Sequence, residues 1–394
     1  MVGVPRVTAV LVAAVVLGVA ACDEPSEAPP RPAPAIDPGW SPVVLPGADG
    51  AERLAVRAAT TCANRWYLVG GAVAADGAAR PMAWQSRDGR SWSPLPVRAD
   101  SFYGRRAVLY AVSCRADQLV ALGARAGGVH GNPRVSGWRL VADGALTEVP
   151  APFELFGGPT AANVARVLAG PSGWLIVGNR ISGAAVWRAA DPGGFEIVEA
   201  APELASDGRG RTWALDAVAD ADGGWLLVGG IGRAGRVERD PLAWTSADGR
   251  NWRRQEVPAA VGYDELQRVI LVNGHPLAVG RHGSTFGVWR NDGTGWTTVG
   301  RFGRIGSAGP ASVAGLVAVG GQVHAVVSDG ASHRLWVSAD GGAAWRELAG
   351  PVPAPPAGGD RAVVLAADEQ RLLLAVDDGA STRAWTTPAP VPLR

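Results

Sequence analysis

One tryptophan returns along this chain in the same setting seven times, as Trp84, Trp138, Trp187, Trp244, Trp289, Trp336 and Trp385. The interval is about 50 residues, the period of chains built from one repeated supersecondary unit. Each interval reads alike. A first apolar strand is followed by a tight turn and a second strand, such as "WYLVGG", "WLIVGN", "WLLVGG" or "PLAVGR". A variable loop leads to the tryptophan strand ("AWQS", "VWRA", "AWTS", "LWVS"), and an Asp/Gly hairpin leads to a short outer strand ("WSPLPV", "WRRQEV"). Period-two alternation and β-branched content predict strands, the glycine-rich joints predict turns, and no helix is expected after residue 40. The last unit stops at "AWTTPAPVPLR" without an outer strand, while "GWSPVVLP" at 39–46 mirrors "SWSPLPV" at 91–97. The N-terminal segment is therefore expected to supply the missing strand and cover an otherwise open edge.

Seven four-stranded sheets joined in this way predict an all-β, seven-bladed β-propeller with the N-terminal strand closing the last blade. The hairpins point the same way. Three of them read "SRDGRSW" (Ser86, Asp88, Gly89, Trp92), "SADGRNW" (Ser246, Asp248, Gly249, Trp252) and "SADGGAAW" (Ser338, Asp340, Gly342, Trp345). This pattern resembles the Asp-box repeat of bacterial sialidases and other β-propellers. The resemblance implies that the box lies between the third and fourth strands of a blade, on the face opposite the catalytic one. The chemistry agrees with a structural role: a short carboxylate accepts from backbone N–H groups two or three residues on, the glycine tolerates φ > 0, and the tryptophan buries a large apolar surface.

The N-terminus reads as a sorting signal. Arg6 precedes an apolar run at 7–21 that is too short to span a bilayer, and "VAAC" ends at Cys22. The run resembles a lipoprotein signal, with Val19 where the pattern usually has leucine. The expected organisation is a signal peptide at 1–21, a lipidated Cys22 with a Pro-rich tether at 22–38, and the propeller at 39–394. The expected address is the outer face of a bacterial cytoplasmic membrane, held through lipid on Cys22. Cys62 and Cys114 remain, and in an exported protein such a pair predicts a disulfide. Both precede a second strand in matching contexts.

The formal net charge of +1 argues against nucleic acid as a partner. All 37 basic residues are arginine. A sialidase-like site would need three arginines on a carboxylate, a tyrosine nucleophile beside a glutamate, and an acidic aspartate. "GYDELQR" does gather Tyr263, Asp264, Glu265 and Arg268, yet the Phe-Arg-Ile-Pro signature of that family is missing and seven blades replace six. His130, His275, His282, His324 and His333 are scattered, so no metal or cofactor is expected. Arginine marks the innermost strand region of most units: Arg53 and Arg57, Arg106, Arg166, Arg211, Arg268 and Arg361. Several guanidinium groups around one funnel would hold a carboxylate or phosphate. The candidate ligand-binding residues are Arg106, Arg166, Arg211, Arg268, Arg361 and Tyr263. The expected role is a monomeric binding or assembly scaffold, not an enzyme. Its partner would be a protein or an anionic cell-envelope glycopolymer. The alternative is a sialidase-like glycan hydrolase or lyase.

Overall fold

The glycines inside the second strands have a packing cause. In the computed structural model, which describes residues 34–47, 49–127, 133–220 and 222–393, pairing of the first strand slips by one residue in six of the seven units. The slip is a β-bulge, which turns the backbone of the first strand toward the second. A Cβ on Gly70 would stand 1.8 Å from the Ala55 carbonyl oxygen, and one on Gly280 would stand 1.8 Å from that of Glu265. At these two positions only glycine fits opposite the bulge, whereas blade 6 places Val327 there.

Each tryptophan unit forms one antiparallel sheet, and the seven sheets make a seven-bladed β-propeller. The innermost strands of blades 1 to 7 are Arg53–Cys62, Val108–Arg115, Ala161–Gly170, Arg211–Ala219, Asp264–Val272, Ser312–Val319 and Ala362–Ala367. All seven contribute walls to one central channel. Blade 2 gains a fifth, two-residue strand, Val97–Arg98, parallel to its outer strand Leu146–Val149. One turn of α-helix, Phe153–Phe156, interrupts the connection into blade 3, where the sequence predicted only strands and loops.

The core is distributed. Seven apolar clusters are each built from the facing sides of two neighbouring blades. The repeated tryptophan also ties blades to their connections. Trp84, Trp187, Trp244 and Trp289 donate their indole N–H to the carbonyls of Pro46, Leu155, Glu203 and Pro258, each in the segment entering the same blade.

The ring closes at its termini. Ser41–Val43 pairs antiparallel with Thr382–Pro388, the third strand of blade 7, in the register Ser41↔Thr386, Pro42↔Trp385 and Val43↔Ala384. The stitch starts earlier than the tether boundary expected at residue 38, because Ile36 already bonds blade 6 through Glu347 and Ala349.

The three Ser-Asp-Gly-Trp hairpins share one geometry. Ser86 Oγ accepts the Gly89 N–H at 2.9 Å, Asp88 Oδ1 accepts those of Arg90 and Ser91 at 2.8 and 2.7 Å, and Trp92 Nε1 donates to the Gly89 carbonyl. Ser246, Asp248, Gly249 and Trp252 repeat these bonds. In the third hairpin the extra residue shifts them to Gly342, Ala343 and Ala344, with Trp345 on the Gly342 carbonyl. The Ser91 N–H bond, the largest cause, holds the Asp88 carboxyl down at about 2, and the Asn251 and Ala344 bonds lower Asp248 and Asp340 likewise. On the same face Cys62 and Cys114 are joined, with Cα atoms 6.0 Å apart, linking the ends of the inner strands of blades 1 and 2. Cys22 and the signal segment lie outside the described residues.

Candidate functional site

The bulge decides which side chains face the channel. Immediately after it come Ala58, Ala111, Arg166, Asp216, Arg268 and Gly315 in blades 1 to 6. Three consecutive blades therefore bring Arg, Asp and Arg to one level, opposite alanine and glycine. In blade 1 the bulged residue is itself an arginine, Arg57. Arg57, Arg166 and Arg268 line a channel of about 550 Å³ whose other walls are largely alanine, valine, leucine and threonine.

The three guanidinium groups are answered unequally. Arg57 is ion-paired with Asp377, whose side chain is wholly buried, and Arg53 joins the same carboxylate at 3.2 Å. Arg53 also reaches Asp360 at 3.1 Å. Arg166 Nε lies 2.8 Å from Asp216 Oδ1, and Asp216 Oδ2 accepts the Val269 N–H at 3.2 Å. Arg268 has no carboxylate within salt-bridge distance among the described residues. Its Nη1 donates to the Gln267 carbonyl at 2.7 Å, and its buried Nε has no partner among the described residues. Desolvation, with repulsion from Arg166, pulls this guanidinium down to about 10. The wall thus carries one positive charge more than its carboxylates neutralise, because Asp216 is already shared between Arg166 and the backbone of the next blade.

The other candidates do not join this cluster. Arg106 is exposed and lies over the Phe102 ring at 4.2 Å, in a groove beside the channel. Arg211 is exposed at the start of its strand. Arg361 is exposed, with Nε on the Gly358 carbonyl at 3.0 Å. Tyr263 lies in a separate cluster. Its hydroxyl donates to Glu265 Oε2 at 2.8 Å, Arg281 lies over its ring at 4.1 Å, and Arg239 holds Glu265 Oε1 at 2.5 Å. Burial and the Glu265 charge push the Tyr263 phenol up to about 12. Asp264 is buried beneath, bonded to His282 Nδ1 at 2.9 Å and to the Ala260 N–H at 2.6 Å.

Sequence reasoning missed the two carboxylates that organise the channel. Asp377 had a visible signal: it ends "LLLAVD", where blades 1 and 4 carry Gly71 and Gly230. Asp216 had none, because only the bulge turns it toward Arg166. No group of three metal-ligating side chains comes together among the described residues.

No known protein family's sequence profile matches the chain, and no curated protein matches it. Solved structures do. A protein from Lactobacillus plantarum superposes with a TM-score of 0.50 at 13% identity, over 80% of this chain and 92% of its own. A Mycobacterium tuberculosis puromycin-hydrolyzing peptidase gives a TM-score of 0.50 at 13% identity, over 88% of this chain and 53% of that one. Trypanosoma rangeli sialidase, solved with sialic acid, is a more distant neighbour, with a TM-score of 0.44 at 13% identity, over 90% of this chain and 60% of the sialidase. The chain spans about half the length of the peptidases it matches, 53% of each of two. At these identities the likeness is one of fold.

Proposed function

We propose that this propeller is a monomeric, lipid-anchored, extracytoplasmic binding scaffold that holds an anionic group of a cell-envelope glycopolymer in its central channel. The observation that carries this reading is Arg268, a guanidinium on the channel wall with no carboxylate partner among the described residues, beside Arg166 and across from small side chains. A carboxylate or phosphate entering there meets in-plane N–H donors already oriented by the strands, and neutralises a charge the wall leaves over. The anchor rests on "VAAC" and Cys22, and Cys22→Ala should release the protein from the membrane fraction; retention there overturns the anchor.

Titration of the full chain with oligogalacturonate and with a neutral dextran oligomer of equal length tests the channel. Preference for the acidic polymer is expected, with a loss of about tenfold in Arg268→Gln and no change in Arg211→Gln. Equal affinity for dextran, or indifference to Arg268→Gln, overturns the reading.

A second reading, a sialidase-like hydrolase, draws on the Tyr263–Glu265 contact at 2.8 Å. Two features weigh against it. The phenol is pushed up rather than down, and Glu265, the base it would need, is committed to Arg239. Turnover of a fluorogenic sialoside, lost in Tyr263→Phe, would put this reading in place of the first.

A further inference from the structure

Among the described residues, the exposed aromatic side chains gather at one place. Phe102, Tyr103 and Phe153 are 52%, 39% and 53% exposed. They come from the connections into blades 2 and 3. Phe102 and Tyr103 meet edge to face at 5.3 Å. Three arginines are laid on these rings. Arg106 and Arg125 lie over Phe102 at 4.2 and 5.5 Å, and Arg134 lies over Phe153 at 4.3 Å and Tyr103 at 5.7 Å. None of the three arginines forms a salt bridge among the described residues, whereas Arg57 and Arg166 do. Tyr103, Arg134 and Phe153 rim a cavity of about 650 Å³ with an apolar wall that includes Val135, Pro150, Pro152 and Phe156.

Both connections are braced by buried charge. Glu148 is 7% exposed and spends its carboxylate on one loop: it accepts from the N–H groups of Asp100 and Ser101, each at 2.8 Å, and from Ser101 Oγ at 2.6 Å. Ser101 Oγ in turn accepts the Gly104 N–H. That fixes the segment carrying Phe102 and Tyr103. On the other side Arg180, its side chain 1% exposed, donates to the carbonyls of Glu154, Leu155 and Gly157, and Trp187 Nε1 adds a second bond to Leu155. That fixes the turn carrying Phe153. Burying an ion is unfavourable unless it finds partners, and here the Glu148 carboxylate and the Arg180 Nη groups find theirs by holding two loops, while Arg180 Nε lies 3.5 Å from Glu199. The loops then present aromatic rings to water in fixed positions, an arrangement that marks an interaction surface.

We infer that this braced cleft between blades 2 and 3 docks an acidic segment of a partner protein, with an apolar side chain in the cavity and flanking carboxylates on Arg134, Arg106 and Arg125. A guanidinium lying on a ring has its face covered and its in-plane N–H groups free, which suits bidentate carboxylate contacts. Only Asp100, at the mouth, and Glu148, already bonded, bring negative charge to the cavity lining. The proline and phenylalanine wall favours a peptide over a glycan, because sugar hydroxyls pressed against it would lose water without gaining a hydrogen bond. Aromatic and arginine side chains are also those that dominate protein–protein contacts. The cleft adjoins the channel: Arg57 lines both the channel and the groove that holds Arg106 and Arg125. This surface is distinct from the proposed anion site and stands without it.

Fluorescence anisotropy of the full chain with a labelled acidic peptide, EDFEDLE, tests the inference. Saturable binding that weakens with salt is expected. Arg134→Ala and Phe153→Ala should each reduce affinity about tenfold, as should replacing the peptide's Phe and Leu by Ser. Arg268→Gln should leave it unchanged, which separates this surface from the channel. Phe153 is half-exposed, so its truncation should leave the fold intact; for the arginine, Arg134→Glu should recover binding to the charge-inverted peptide KRFKRLK. Lack of saturable binding, indifference to Arg134 and Phe153, sensitivity to Arg268→Gln, equal binding of the Ser-substituted peptide, or displacement by oligogalacturonate at equal concentration each overturns the assignment.

Discussion

At His324 a titratable ring sits 1% exposed in the second strand of blade 6, between Val317 and Val337 on the neighbouring strands. Neither ring nitrogen has a hydrogen-bond partner among the described residues. Burial alone lowers this imidazole to about 4. A folded value below the ordinary value near 6.5 means that the unfolded chain binds the proton more tightly. The stability His324 permits is therefore fully present above about pH 6.5 and is lost as pH falls toward 4, amounting to about 2–3 kcal/mol. His324→Leu fills similar space without titrating. Urea midpoints at pH 7.5 and pH 4.5 should fall further in the wild type than in His324→Leu; parallel losses would remove His324 as a cause. The hairpin aspartates act in the same direction at lower pH, because their carboxyls too are held below the ordinary value. Asp88 is held charged by backbone donors, so its smaller contribution is full only above about pH 4 and is lost as pH falls through about 2.

At the scale of the strand, the bulge separates what the sequence discloses from what it hides. The tryptophan period, the number of blades and the Ser-Asp-Gly-Trp hairpins are all local patterns, and strand and turn residues write them directly. Which side a strand residue faces is a different matter. Side chains alternate with period two, so a single inserted residue turns every later one to the opposite face. Arg166 and Arg268 face the channel because Ala165 and Gln267 are the extra residues before them, and nothing in "NVARVL" or "ELQRVI" announces the slip. Arg106, Arg211 and Arg361 looked equivalent in the sequence and lie at the rim, because they precede their strands or start them. The cleft of Phe102, Arg134 and Phe153 was less legible still. It joins two connections to the start of a third strand, and its braces, Glu148 and Arg180, read as ordinary strand charges. The Cys62–Cys114 link is an element-scale device of the same kind, closing 52 residues across the first blade interface. A loop of this length restricts the unfolded chain by about 4 kcal/mol in the chain-entropy account.

For the whole molecule, the distributed core makes closure decisive. Seven clusters occupy seven interfaces, so no blade owns a core and each depends on both neighbours. The interface between blades 7 and 1 joins the two ends of the chain, and the N-terminal segment spans it. Val43 and Leu45 pack in its apolar cluster, Ser41–Val43 covers the edge of Thr382–Pro388, and the Pro46 carbonyl takes the Trp84 indole. Trp40 Nε1 reaches the Ala349 carbonyl of blade 6 at 2.9 Å, and from the other terminus Val391 exchanges two bonds with Gln322 at 2.8 Å. Removing residues 39–46 would strip the buried Val43 and the partly buried Leu45, about 2–4 kcal/mol of apolar burial, and bare one strand edge. Thermal unfolding of the deletion should drop by roughly 5–10 °C, with light scattering rising as bare edges pair between molecules. Deleting residues 24–33 instead should leave melting unchanged, because the stitch begins at Ile36. Equal melting of the two deletions would mean that the ring holds without its N-terminal strand. Blade 7 would then have to tolerate an open edge, which a sheet of exposed backbone donors and acceptors does only where charge or proline shields it.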